Sequence, residues 1–143
     1  MQFVVNNWYL FAGLAVVLVL LVGPTLRQLM HGITSVGVNQ AVELVNHQAG
    51  VLVDVREPAE VDGGHIPNAK MLPLSRFKER LTELEKFKDR PVVLYCRSGQ
   101  RSSRAAVLLR KHGFASVYNL AGGILAWQAE NLPIEPYDKT NGA

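Results

Sequence analysis

An α/β domain, with a mainly parallel sheet covered by helices on both faces and one transmembrane helix before it, is the architecture this sequence predicts. Three observations predict it. Short β-branched runs alternate with helical patterns after residue 35. Those runs are apolar at consecutive rather than alternate positions, as in strands buried on both faces. The first 26 residues carry no charged side chain. The chain has 143 residues, 48% of them hydrophobic and 19% charged, which allows one domain and little more. All of the charges, 15 basic and 12 acidic, fall after residue 26, so the remainder has the composition of an ordinary soluble domain.

The N-terminal segment WYLFAGLAVVLVLLVGPTL (8–26) contains an apolar core, Leu10 to Val22, with five Leu, four Val and Phe11. Those ten residues favour membrane insertion by about 3–6 kcal/mol, with no charge opposing them. Nineteen helical residues span about 28 Å, close to the hydrocarbon thickness. Trp8 and Tyr9 suit one interface and Arg27 the other. A cleavable signal peptide fits less well, because a positive leading region and a small-x-small cleavage site before Pro24 are both missing. A buried core helix has no place in so small a domain. The first basic residues follow the span, so the positive-inside rule places the C-terminal domain in the cytoplasm, on a single-pass inner-membrane protein. The division expected is residues 1–30 as anchor and flank, 31–136 as the domain, and 137–143 as a flexible tail.

Val36 to Val38 reads as a small strand, and Asn39 as the N-cap of a helix carrying Ala41, Val42, Leu44 and Val45 that Gly50 closes. Val51–Val55, Pro91–Tyr95 and Ser116–Leu120 read as three further strands. Leu74, Phe77, Leu81, Leu84 and Phe87 recur every three or four residues and predict one helix with a single inner face. Its outer side interleaves Arg76, Lys78, Arg80, Lys86, Lys88 and Arg90 with Glu79, Glu83, Glu85 and Asp89, a solvated face with short-range ion pairs. Ser102 to His112 predicts a helix stopped by Gly113. Gly122 to Asn131 predicts a last one, with Leu125 and Trp127 in the core.

A net charge of +3 without a basic cluster argues against a nucleic-acid partner. The four histidines lack metal-ligand spacing, and no metal or cofactor is expected. One cysteine excludes an internal disulfide and directs attention to Cys96. It directly follows the strand PVVLY and begins the loop CRSGQRS, after which a helix starts. A strand-loop-helix turn aims successive N–H groups into one concavity, at the positive end of the helix dipole. Arg97 and Arg101 add positive charge, Gly99 permits the curvature, and Ser98 and Ser102 supply hydroxyls. These features favour thiolate over thiol. A cysteine of ordinary pKa is about 3% ionised at pH 7, and a two-unit depression makes it roughly three-quarters ionised.

The loop CRSGQRS, the upstream DVREPAEVDGGHIPNAKMLPL (54–74) and the downstream NLAGGILAW (119–127) together resemble the rhodanese, or thiosulfate sulfurtransferase, domain over about residues 35–135. With its anchor, the chain resembles a bacterial membrane-anchored single-domain rhodanese. The resemblance implies a rhodanese-like parallel sheet and a ping-pong reaction. Cys96 takes a sulfane sulfur from thiosulfate or a persulfide donor and passes it to a thiol or cyanide acceptor. It further implies that Arg97, Ser98, Gly99, Gln100, Arg101 and Ser102 form the substrate-binding loop. Asp54, Arg56 and Glu57 match the family's D-x-R-E segment and His65 its G-H-I-P-x-A segment. We read Asp54, Arg56 and His65 as supporting residues that hold loops.

Three alternatives compete. A cysteine phosphatase needs C-x5-R, and here four residues separate Cys96 from Arg101. A non-catalytic docking module on the membrane would not need the cysteine. A thiol sensor would need a partner thiol, since no resolving cysteine is present. Membrane lipid is the expected contact of residues 8–26, with a membrane protein partner unidentified.

Overall fold

The computed structural model describes residues 1–30 and 32–138, without the side chains of residues 27–29. The side chain of Arg27, His31 and most of the tail read at 137–143 therefore lie outside the described residues. A short helix α1 (Gln2–Asn6) leads into α2 (Trp8–Met30), which carries Pro24. Trp8–Leu26 is long and apolar enough to cross a membrane, and none of it is buried against the rest of the protein.

The domain follows as β1 (Thr34–Val36), α3 (Val38–His47), β2 (Val51–Asp54), β3 (Lys70–Met71), α4 (Phe77–Arg80), β4 (Val92–Tyr95), α5 (Gln100–Lys111), β5 (Val117–Leu120) and α6 (Gly123–Ala129). The five strands form one parallel sheet in the order β1-β5-β4-β2-β3. On one face Val51, Val53, Val92 and Leu94 pack against Phe77, Leu81, Leu84 and Phe87 and against Ala105, Ala106 and Leu109 of α5. On the other, Leu52, Val93 and Tyr95 pack with Val38, Ala41 and Leu44 of α3 and Ile124 and Trp127 of α6. The parallel sheet with helices on both faces is as predicted, and consecutive apolar residues in β2 and β4 are divided between its two sides.

Several element boundaries differ from the sequence reading. Val38 belongs to α3 rather than to a strand, and the N-cap is Gly37, not Asn39. The left-handed residue after α3 is Ala49 (φ 55°). Gly50 is needed for a different reason, because a Cβ there would lie 2.8 Å from the Leu44 carbonyl oxygen. The single helix predicted from Leu74 to Phe87 is three pieces: a 3-10 turn at Leu74–Arg76, α4, and a 3-10 segment at Leu81–Phe87. The apolar spacing explains the division. Steps of three keep one face in a 3-10 helix, and the single step of four, Phe77 to Leu81, falls on the α-helical turn. The ion pairs expected on the outer side include Arg80–Glu83 and Lys88–Glu85.

Helix α5 starts at Gln100, two residues before the predicted start, and Gly113 is left-handed as expected (φ 85°). Helix α6 is shorter than predicted at both ends. Its Trp127 is buried, whereas Leu125, predicted as core, is 48% exposed. Turned one position from the side that Ile124 and Trp127 share, it faces solvent. The edge strand β3 and the 3-10 segment Pro58–Gly63 were not foreseen. Both are too short, and too polar at the surface, to leave a periodic trace.

Candidate active site

Cys96 lies one residue past the carboxyl end of β4, the central strand, and is buried at 1% exposure. Two of the chain's turns close around it. The first is the loop from Arg97 to Gly99, where Gly99 adopts φ 102° as the N-cap of α5. Its N–H donates to the Cys96 Sγ at 3.1 Å. The Ser102 hydroxyl lies 3.5 Å from the same sulfur. Burial pushes the Cys96 thiol up, but hydrogen bonds from the Ser102 hydroxyl and from the N–H groups of Ser102, Gly99 and Ser98 outweigh it and hold the thiol below its ordinary value.

The second turn is the start of α6, where Gly123 sits directly on the Cys96–Arg97 peptide. A Cβ on Gly123 would be 2.4 Å from the Cys96 carbonyl oxygen, and its φ of 57° already favours glycine. The N–H groups of Ile124 and Leu125 donate to the carbonyls of Cys96 and Arg97 at 2.9 and 3.3 Å. With those carbonyls turned toward α6, the loop's N–H groups are left to face the sulfur.

Asn119, at the end of β5, joins the two turns. Its Nδ2 donates to the Gly99 carbonyl (3.1 Å) and to Ser103 Oγ (3.0 Å), and its Oδ1 accepts the Ser102 hydroxyl at 2.5 Å. Asn119 opens the downstream motif, but the sequence reading gave it no role. The signal that could have found it is a polar residue in an otherwise apolar strand.

The arginines are arranged differently from the sequence expectation. Arg101 does not stand as a free cation over the sulfur, because it donates two hydrogen bonds to Glu60, at 2.6 and 2.7 Å. Arg101 holds the Glu60 carboxyl down to about 2, and Glu60 in turn raises Arg101. Glu60 belongs to the 3-10 segment, accepting the Glu57 N–H at 2.9 Å. Glu57 accepts both the N–H and the hydroxyl of Ser75. Ser75, the 57–63 segment and the start of α5 are thus linked through Glu57, Glu60 and Arg101. Arg97, Ser98 and Gln100 are exposed, while Gly99 and Ser102 are buried beneath them.

Asp54 and Arg56 form a buried ion pair at 2.6 Å. Arg56 also donates to the Gly64 carbonyl at 2.9 Å, and the Ile66 N–H donates to the Tyr95 hydroxyl at 3.1 Å. This network anchors the 56–66 loop to β4 beside the site. Burial, and the nearby Asp54 carboxylate, push the Tyr95 hydroxyl far above its ordinary value. His65 points Nδ1 at the Ile66 carbonyl, 2.8 Å away. A carbonyl only accepts, so Nδ1 carries the hydrogen. The backbone of His65 pairs with Glu135, and its ring meets Tyr137 edge-on. All three residues read as supporting stand among loop contacts.

Comparison with known proteins agrees with this architecture. A sulfurtransferase of Allochromatium vinosum is 49% identical over 84 residues, covering 59% of this chain and 77% of that protein. The thiosulfate sulfurtransferase GlpE of Pseudoalteromonas translucida is 33% identical over 94 residues, covering 66% and 88%. Two further curated relatives are covered over only 59% and 50% of their own lengths. Among solved structures, a rhodanese-related protein from Thermoplasma volcanium superposes with a TM-score of 0.61 at 32% identity, covering 71% of this chain and 97% of that one. The sequence model of the rhodanese-like domain matches residues 38–130, from the first residue of α3 to just past α6, and the chain belongs to the rhodanese-like domain family.

Proposed function

We propose that the protein is a membrane-tethered sulfurtransferase in which Cys96 carries the sulfur. The observation that supports this most directly is the hydrogen bonding of Cys96 Sγ by the loop, with Gly99 N–H at 3.1 Å and the thiol held below its ordinary value. Only the thiolate is nucleophilic. In the first half-reaction the thiolate attacks the outer sulfur of thiosulfate or of a persulfide donor. A new S–S bond forms at Cys96, and the donor's S–S bond breaks with its electron pair leaving on sulfite or a thiolate. In the second, a thiolate or cyanide acceptor attacks the outer sulfur and returns the electron pair to Cys96. No proton transfer is required of His65. The N–H groups of Ser98, Gly99 and Ser102 stabilise the terminal sulfur's negative charge as they do the thiolate's. Arg97, exposed at the mouth, draws the anionic donor, while Arg101 is held by Glu60.

The names of the two curated relatives support the reaction class, and the second supports thiosulfate as one donor. The tether rests on the uncharged, unburied Trp8–Leu26 helix. The test is intact mass spectrometry of the detergent-solubilised full chain after thiosulfate. We expect a gain of one sulfur, removed by cyanide and absent in Cys96→Ser. No gain, even with stronger persulfide donors, overturns the reading in favour of a docking or thiol-sensing module. The same spectrum reads the N-terminus, and a chain isolated from the cell without residues 1–26 overturns the tether.

A further inference from the structure

Because every strand pairing is parallel, the domain has two distinct ends. Cys96 follows the carboxyl end of β4 and lies at one of them. The N-terminal helix enters at the other, since only residues 31–33 separate Met30 from the first residue of β1. Ile33 is buried in the core at 4% exposure, which fixes the entry point. Gly32 lies against Arg110, whose guanidinium would be 3.3 Å from a Cβ on that glycine.

This entry end is basic. Arg110 and Lys111 finish α5, and Lys88 and Arg90 precede β4. Contacts place Lys88, Arg90 and Arg110 on one surface, and Lys111 is the next residue of α5 after Arg110. The Ala115 N–H donates to the Lys88 carbonyl, Lys88 Nζ lies 5.9 Å over the Phe114 ring, and Arg110 donates to the Phe114 and Ala115 carbonyls. Arg90 reaches across to the Ala49 carbonyl at 2.6 Å. The acids beside them are Glu85, paired with Lys88, and Asp89. Lys86 shares the Phe87 ring with Arg90, and His47 and His112 are the titratable residues that end α3 and follow α5. At the Cys96 end, by contrast, Glu57, Glu60, Asp62 and Glu135 are mixed with Arg97, Arg101 and Arg104.

Resting on the reading of Trp8–Leu26 as a membrane span, we propose that this basic end is a docking face for anionic phospholipid headgroups. From Leu26 to Thr34 the chain reaches about 6 Å as helix and at most about 14 Å beyond it. Thr34 is thereby kept within about two Debye lengths of the hydrocarbon edge, and Arg110, which lies against Gly32 in the same linker, brings the basic end within reach of the headgroup layer. Once within a Debye length of the headgroups, each such cation is attracted by the negative surface potential, by roughly fivefold in partition. The domain lies base-down on the bilayer, with the Cys96 loop at its far end. The sulfur is then exchanged with water-borne donors and acceptors rather than with molecules dissolved in the lipid.

The test is amide hydrogen exchange on the full chain in nanodiscs of phosphatidylcholine, with and without phosphatidylglycerol. These discs contain no other protein, so any protection comes from lipid. We expect residues 88–91 and 110–116 to exchange about fivefold or more slowly in the anionic discs, with residues 97–102 unchanged. High salt, which shortens the Debye length to about 3 Å, should abolish the difference, and so should the double variant Lys88→Glu/Lys111→Glu. The salt arm needs no variant to fold. Retention in both discs with no lipid-dependent protection overturns the docking face alone. A chain that leaves phosphatidylcholine discs at high salt overturns the membrane-span reading, and the docking face with it.

Discussion

The Arg101 guanidinium forks onto the two oxygens of the Glu60 carboxylate, with hydrogen bonds of 2.6 and 2.7 Å, so it meets the neighbourhood of Cys96 as half of an ion pair. Glu60 is held down to about 2. A lowered carboxyl contributes its stabilisation above the ordinary carboxylate range and loses it only as pH falls toward that value. Arg101 therefore stays neutralised throughout the physiological range. We expect Glu60→Gln to free the guanidinium and lower the KM for thiosulfate, a dianion, by about two- to fivefold, the range of an exposed charge pair. An uncharged persulfide donor should show no change. Steady-state kinetics with both donors check this, and a raised KM for thiosulfate would show that Glu60 is needed to position Arg101.

Ser102 contributes both its hydroxyl and its N–H to holding the Cys96 thiol below its ordinary value. Ser102→Ala removes the first and leaves the second. The pH profile of Cys96 alkylation by iodoacetamide should move to higher pH, and sulfur transfer at neutral pH should fall by roughly tenfold, the worth of one hydrogen bond. The sign follows from the reactive species. Thiolate accumulates above the pKa, so the deficit is largest at low pH and closes at high pH, where both proteins are ionised. An unmoved profile would mean that the loop N–H groups alone set the ionisation.

Asp54 and Arg56 are a buried pair with no exposed face toward the Cys96 mouth. Asp54→Ala leaves a guanidinium uncompensated in the interior and should cost about 3–5 kcal/mol in denaturant unfolding. The KM of the folded fraction should be unchanged. A stable variant with a raised KM would instead make Asp54 a substrate contact.

The sequence was most legible where its chemistry is local. PVVLY followed by CRSGQRS places a cysteine between a buried strand and a helix start, and Cys96, Gly99 and Ser102 come together as that pattern requires. It was least legible where the partner is distant. Nothing within CRSGQRS shows that Arg101 is occupied by Glu60, 41 residues away, or that Asn119 shares the proton of Ser102. In the sequence Gly123 is only the second residue of a predicted helix, whereas the fold requires a glycine there because a Cβ would meet the peptide bond after Cys96. The five-residue apolar pattern from Leu74 to Phe87 named the inner face correctly. It did not show that spacings of three belong to a different helix from spacings of four.

On the proposed reaction, the position of β4 in the sheet, third of five strands between β5 and β2, has a consequence for how long a sulfur would be stored. Hydrogen bonds at the centre of a parallel sheet open with the whole fold, whereas a two-residue edge strand such as β3 frays freely. Cys96 is fastened to the part of the molecule that breathes least. On the proposed reaction, a sulfur carried there is reached at the mouth of the loop and not through passing local openings. Its lifetime is then set by how often an acceptor finds the mouth of the loop, so the rate of discharge belongs to the encounter rather than to the protein's own fluctuations.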